Sequence, residues 1–265
     1  MRHRGPLMEP VNTFTEHDRL IQGSGTPAAD WRHWLDAHLP PVVDIDALSA
    51  AHGTLWVVAP HPDDEVLLAG GLLALLAQRG RLAHVVAVTD GEASHPRSTR
   101  WPVDALAAAR REETARALAQ LAPGTPLQRL GVPDGGVAKH ERDLAFRLAS
   151  LFGSRDVVLT TWRLDGHPDH EATGRACASA CRLRGARLYE VPVWAWHWAP
   201  AGDPRLPWTR AVSLPLGAQA LESKRLALLQ YTSQTEPDPS TGASPVLPGT
   251  AIARLLHPYE ILFSP

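Results

Sequence analysis

The sequence predicts an α/β fold: three layers around a mainly parallel sheet, with an elaborated C-terminal region. Three observations predict it. Short apolar runs alternate with longer helical patterns, strand then helix, four times at a spacing of about 25–35 residues, the signature of βαβ units. The first run, 55–59, is apolar at every position, as in a strand buried on both faces. Right-handed crossovers between parallel strands then distribute the helices over both sides of the sheet.

Residues 1–28 carry turn-forming Gly and Pro without a sustained period and read as an irregular arm; 29–265 reads as one domain without an internal repeat. Asp30 is placed to cap a short helix in which Trp31, Trp34 and Leu35 share a face. Residues 66–79 are rich in Leu and Ala and stop at Gly80, a helix with a C-terminal glycine. Strands follow at 82–89, 127–130, 156–161 and 187–193, with helices at 104–121, 139–152 and 171–184 between them. Past residue 200 the regularity weakens. Strands are expected at 211–214 and 259–263, a helix at 218–230, and a long loop at 236–249, which is rich in Pro, Ser and Gly.

Composition excludes several classes. Apolar residues are 44% and charged residues 20%, globular values that rule out wholesale disorder. A net charge of −2 leaves no basic footprint for nucleic acid or anionic lipid. No apolar stretch approaches the ~20 residues of a membrane span, and the first residues lack the apolar segment of a secretory signal. With only Cys177 and Cys181 there is no disulfide framework, so a cytoplasmic location is expected, and the two thiols read as buried apolar groups on one helix.

In an open parallel sheet, ligands bind beyond the carboxyl ends of the strands. After the first strand comes Pro60-His61-Pro62-Asp63-Asp64-Glu65, and after the fourth Asp165-Gly166-His167-Pro168-Asp169-His170-Glu171. His61 and Asp64, three apart at a helix start, share one side of the turn, and His170 arrives from the other strand end. Two imidazoles and a carboxylate are the donor set of catalytic zinc, and they also suit ferrous iron. Asp63 points elsewhere and is placed to take a proton from an activated water. Either segment alone reads as a capped turn, because an acidic residue at a helix start is an ordinary N-cap. Capping requires one oxygen-bearing side chain; it does not require three histidines in two turns.

The two histidine motifs, about a hundred residues apart, resemble the LmbE/PIG-L family of zinc-dependent de-N-acetylases. Thr89-Asp90-Gly91-Glu92, Arg110-Arg111-Glu112-Glu113, Leu130-Gly131-Val132-Pro133-Asp134-Gly135, Lys224 and Tyr231-Thr232-Ser233-Gln234 agree with it, so that the likeness spans 54–236. The resemblance implies a Rossmann-like fold and a Zn2+-dependent hydrolase removing an acetyl or other acyl group from an amino-sugar amide or glycoconjugate. It also implies His61, Asp64 and His170 as metal ligands and Asp63 as general base. His167 would bind the tetrahedral oxyanion or protonate the leaving amine, with Asp169 accepting its second ring proton. Asp165 stands where some members carry a carbonyl-polarising tyrosine, a role an ionised carboxylate cannot fill.

Other residues carry two readings each. Asp90 and Glu92 bind sugar hydroxyls or belong to a turn around Gly91; Arg110 and Glu113 form a same-face helix pair. Trp194, Trp196 and Trp198 alternate along an extended segment as a stacking platform or, preferably, a core face, with His197 on the surface side. His84 reads as a core histidine, and His257 is open to either place. Loops 93–102 and 236–249 are expected to set substrate choice. The alternatives are an amidase for thiol conjugates or antibiotic acyl amides and, in another class, a non-catalytic metal-stabilised carbohydrate-binding protein. A binder has no need of a spare carboxylate beside the metal. A dinucleotide-binding oxidoreductase is excluded, because no G-x-G-x-x-G follows the first strand. Self-association is left open by the sequence.

Overall fold

The computed structural model describes residues 18–48 and 53–265. Seven strands form one sheet in the order β3-β2-β1-β4-β5-β7-β6. They are β1 (Leu55–Ala59), β2 (His84–Ala87), β3 (Leu127–Arg129), β4 (Val157–Thr161), β5 (Arg187–Val191), β6 (Ala211–Pro215) and β7 (Tyr259–Phe263). β1 to β5 pair in parallel, while β7 lies antiparallel to both β5 and β6. The expected mainly parallel sheet is present, and its antiparallel edge belongs to the less regular C-terminal region.

Alternation along the strands assigns the two faces. Leu55 and Val57 of β1 join Val157 and Leu159 of β4 in one core; Trp56 and Val58 join Val158 in the other. The first core is closed by α3 (Asp64–Gln78), α4 (Val103–Leu121) and α8 (Ala218–Leu228), the second by α5 (Val137–Leu151) and α6 (Pro168–Arg184). Burying one aliphatic side chain contributes roughly 1.5–3 kcal/mol. A one-residue slip would exchange the faces of a whole strand, so this register is strongly specified.

A third core gathers Trp31 and Leu35 of α1 (Ala28–His38) with Trp196, Trp162 and Phe263. Two expectations change here. Pro27, not Asp30, sits at the cap of α1, and Asp30 falls in its first turn. Trp194, Trp196 and Trp198 do not share an extended face, because Ala195–Trp198 is a helical turn. Residues 1–17 of the expected arm lie outside the described residues. Its remainder is fastened down: Arg19 pairs with Glu171 at 3.1 Å and the Thr26 hydroxyl donates to the Ala199 carbonyl at 2.7 Å.

The topology decides where a site can form. β1 lies between β2 and β4, so the chain leaves β1 first to one side and later returns on the other. Strand order reverses there, and the crevice beyond the carboxyl ends of β1 and β4 is the preferred binding position in such sheets.

Candidate metal centre and its pocket

Both histidine motifs open onto that crevice. A pocket of about 270 Å³ is lined by His61, Asp63, Asp64, His167 and His170 together with Arg110, Asp134 and Trp194. The first motif turns sharply out of β1. Asp63 takes φ 117°, a region that residues with a side chain rarely occupy. The strain is held on several sides. The Asp63 N–H donates to Glu65 at 3.1 Å, its carbonyl accepts from Val66 and Leu67, and its carboxylate accepts from Arg110 at 3.0 Å. Glu65 in turn accepts from the buried Tyr231 hydroxyl.

The second motif is an orthodox helix start. His167 caps α6 by accepting from the Asp169 N–H at 3.3 Å, and Pro168 occupies the first turn, where its missing N–H costs nothing. Because Nδ1 of His167 accepts, the proton of the neutral ring belongs on Nε2. Burial, followed by the neighbouring His170 and His61 rings, pushes His167 down to about 3, so the ring stays neutral at physiological pH.

Asp64 Oδ2 is the meeting point of the cluster. It lies 3.1 Å from His61 Nδ1 and 3.2 Å from His170 Nε2. The far nitrogen of each ring faces another carboxylate. His170 Nδ1 is 2.8 Å from Asp165, and His61 Nε2 is 3.2 Å from Asp134 and 3.3 Å from Asp169. Burial opposes charge on His170, yet Asp64 and Asp165 raise it to about 9. His61 likewise rises well above its ordinary value, because Asp134, Asp169 and Asp64 outweigh its burial. Asp64 is buried too, and the His170 and His61 rings hold it well below the usual carboxylate range. Burial pushes Asp63 up to about 8, with the Arg110 guanidinium opposing.

This buried His/Asp cluster has the composition and spacing to hold a metal ion. Ring nitrogens of His61, His167 and His170 lie within 4.8 Å of one another, as do donor atoms of His61, Asp134 and Asp169.

The Asp169 carboxylate departs from its expected place. It accepts from the Gly135 N–H at 2.7 Å, the Val137 N–H at 3.1 Å and the His61 ring, so it serves the first motif's histidine rather than His167. The helix cap is the reason: His167 Nδ1 already accepts from the Asp169 backbone. Arg110 and Glu113 do not pair with each other either. Arg110 holds Asp63 and the Gly91 and Pro62 carbonyls, while Glu113 accepts from Ser233 and Thr232. Asp90 is engaged by Arg111 at 2.7 Å and Arg129 at 3.1 Å, and Glu92 accepts from the Asp134 N–H. His84 is half-buried edge-on to Trp56, and His257 is buried against Trp196 and Tyr259, outside the pocket lining.

The sequence marks Asp165 only as a departure from the family's tyrosine and gives it no partner. Fully buried, it accepts from the N–H groups of Val193, Trp194 and Ala195 besides the His170 ring. Its signal in the sequence is a carboxylate at a strand exit, and Arg163, two positions earlier, pairs with Glu190 instead.

Residues 56–181 match the family described as PIG-L: GlcNAc-PI de-N-acetylase. Those residues thus carry a PIG-L (LmbE-like) domain. One relative, the 1D-myo-inositol 2-acetamido-2-deoxy-alpha-D-glucopyranoside deacetylase of Mycolicibacterium gilvum, is 29% identical over 209 residues, 68% of this chain and 72% of its own. The enzyme of the same name from Nocardia farcinica is 30% identical over 174 residues, 56% of this chain; the chain spans 58% of its length. The zinc-inhibited form of teicoplanin deacetylase Orf2 superposes with a TM-score of 0.61 at 19% identity, covering 80% of this chain and 97% of that one, a likeness of fold. The PIG-L match takes in β1 through most of α6, and so both histidine motifs. No helix among the described residues is long and apolar enough to cross a membrane.

Proposed function

We infer that this PIG-L chain is a zinc-dependent N-deacetylase of acetylated amino sugars, with His61 Nδ1, Asp64 Oδ2 and His170 Nε2 as the metal ligands. The observation that carries the reading is the orientation of the two rings. Each turns one nitrogen to Asp64 Oδ2 and the other to a buried carboxylate, Asp165 or the pair Asp134 and Asp169. Carboxylates behind metal-binding imidazoles fix the tautomer and raise ligand basicity. Two imidazoles and one carboxylate, with room for water and substrate, fit zinc, and ferrous iron suits the same donors.

A divalent ion held by His61, Asp64 and His170 would supply Lewis acidity for the amide carbonyl and for a water nucleophile near neutral pH. The chain's own residues supply the rest. In its ionised form Asp63 takes the proton from the attacking water, and the Arg110 guanidinium favours that form against burial. The neutral His167 presents Nε2–H to the oxygen on which negative charge develops. Asp165 and Asp169 orient the ligand rings and take no proton. The free, buried thiols of Cys177 and Cys181 suit a reducing cytosol.

The test is release of free amine from N-acetylglucosamine and its simple glycosides, with zinc and with chelator. Amine release that chelation abolishes and zinc restores is expected. Turnover that is indifferent to chelation, or absent from every acetylated sugar offered, overturns the reading.

A further inference from the structure

The pocket wall is not uniformly polar. Beside the titratable cluster it carries Leu67, Trp194, Val246 and Leu247. Three tryptophans stand close together in the chain, and they differ in one respect. The indole N–H of Trp196 donates to the Pro192 carbonyl and that of Trp198 to the Asp165 carbonyl. The indole N–H of Trp194 makes no hydrogen bond among the described residues, although it lines the pocket.

Val246 is 37% exposed, whereas Leu247 beside it is buried and donates its N–H to the Gln234 carbonyl at 2.9 Å. The apolar rim is therefore anchored and does not hang from a free loop. Trp194 is anchored as well. Its backbone N–H donates at 2.9 Å to Asp165 Oδ2, the same oxygen that holds His170 Nδ1. Whatever rests on the indole is thereby registered against the His170 side of the cluster.

Resting on the deacetylase reading above, we propose that Trp194, Val246 and Leu247 form an apolar subsite for a substrate group larger than the acetyl methyl. A flat or aliphatic substituent covers these side chains, and ligand pockets combine such apolar walls with a few fixed polar groups. At about 270 Å³ the pocket lies just below the usual range of roughly 300–1,000 Å³, which limits the occupant to about one sugar ring and one substituent. That substituent belongs either to a longer acyl chain or to the aglycone.

The experiment measures binding to the zinc-loaded Asp63→Asn protein by calorimetry. The probes are N-acetylglucosamine, N-hexanoylglucosamine and phenyl N-acetyl-β-glucosaminide. One extended compound is expected to bind roughly tenfold or more tighter than the parent, the scale of a filled apolar pocket. The compound that gains identifies the acyl or the aglycone side. Adding Trp194→Ala should erase the gain, while Trp194→Phe retains most of it. Equal binding of all three compounds, no binding of any, or a gain that survives Trp194→Ala overturns the subsite. Amine release by the wild-type protein keeps the two readings apart: a Trp194-dependent gain without hydrolysis sinks the deacetylase and spares the subsite. Hydrolysis with equal binding does the reverse.

Discussion

The two histidine turns occupy equivalent places, each following a parallel strand and opening a helix, yet they are built differently. The second is made of ordinary parts: Gly166 at positive φ, a histidine cap and a proline in the first turn. The first puts an aspartate at φ 117° and fastens it with Arg110, Glu65 and, through Glu65, Tyr231. Strain of this kind costs on the order of 1–3 kcal/mol and persists only where the surroundings over-determine it. The difference teaches where the chemistry is concentrated. Asp63 needs an unusual direction, away from Asp64, whereas the second turn has only to deliver two imidazoles. The turns also interlock: Asp169 of the second supports His61 of the first, and Asp64 of the first faces His170 of the second.

The sharpest break in this comparison separates the two adjacent aspartates. Asp63→Asn removes the base while keeping its size, so turnover should fall by roughly 10²–10⁴-fold with the metal retained. Asp64→Ala removes the anionic ligand and should lose metal and activity together. Metal analysis alongside single-substrate kinetics decides it. Should Asp63→Asn lose its metal while Asp64→Ala keeps it, the roles are reversed.

A smaller effect tests the interlock. Asp165→Asn and Asp169→Asn each leave the three ligands in place, and each should weaken zinc by roughly 10–100-fold, as expected when a carboxylate behind an imidazole ligand is removed. Competition with a fluorescent chelator measures both. If Asp169→Asn left zinc affinity intact and depressed only turnover, its carboxylate would be serving His167 after all.

Legibility in the sequence divides along the same physical lines. β1, β4 and β7 are readable because their apolar runs carry their own boundaries, and both histidine motifs are readable because capping does not explain the imidazoles. Partners are harder. The Asp169 carboxylate and the His61 ring meet across 108 positions, a pairing no local pattern encodes. Trp194, Trp196 and Trp198 alternate like a strand, but five residues are too few to separate a period of 2 from a helical turn. Asp165 decides it by accepting three successive backbone N–H groups, from Val193, Trp194 and Ala195. Arg110 looked like half of a helical pair because Glu113 stands three positions on; the acceptors at Asp63, Pro62 and Gly91 come from other strand ends.

Arg110 gives the finest test, because it acts on the strained turn without touching the ligand set. Its guanidinium lowers Asp63, which burial still pushes up to about 8. Removing that charge with Arg110→Met raises the carboxyl further, since an opposite charge at this range lowers a carboxyl by roughly 1–3 units. The sign follows directly. The base works only when ionised, so a higher value moves the acidic limb of the pH–rate profile upward, by about 1–3 pH units at most. A bound cation also favours the carboxylate and damps the shift. Activity lost at neutral pH should therefore return in part at alkaline pH, which damage to folding alone would not produce. Circular dichroism and zinc content of the variant control for that damage. If the acidic limb stayed in place while kcat fell uniformly, Arg110 would be bracing the Pro62 and Gly91 carbonyls without tuning Asp63. The strained turn would then owe its base to the metal alone.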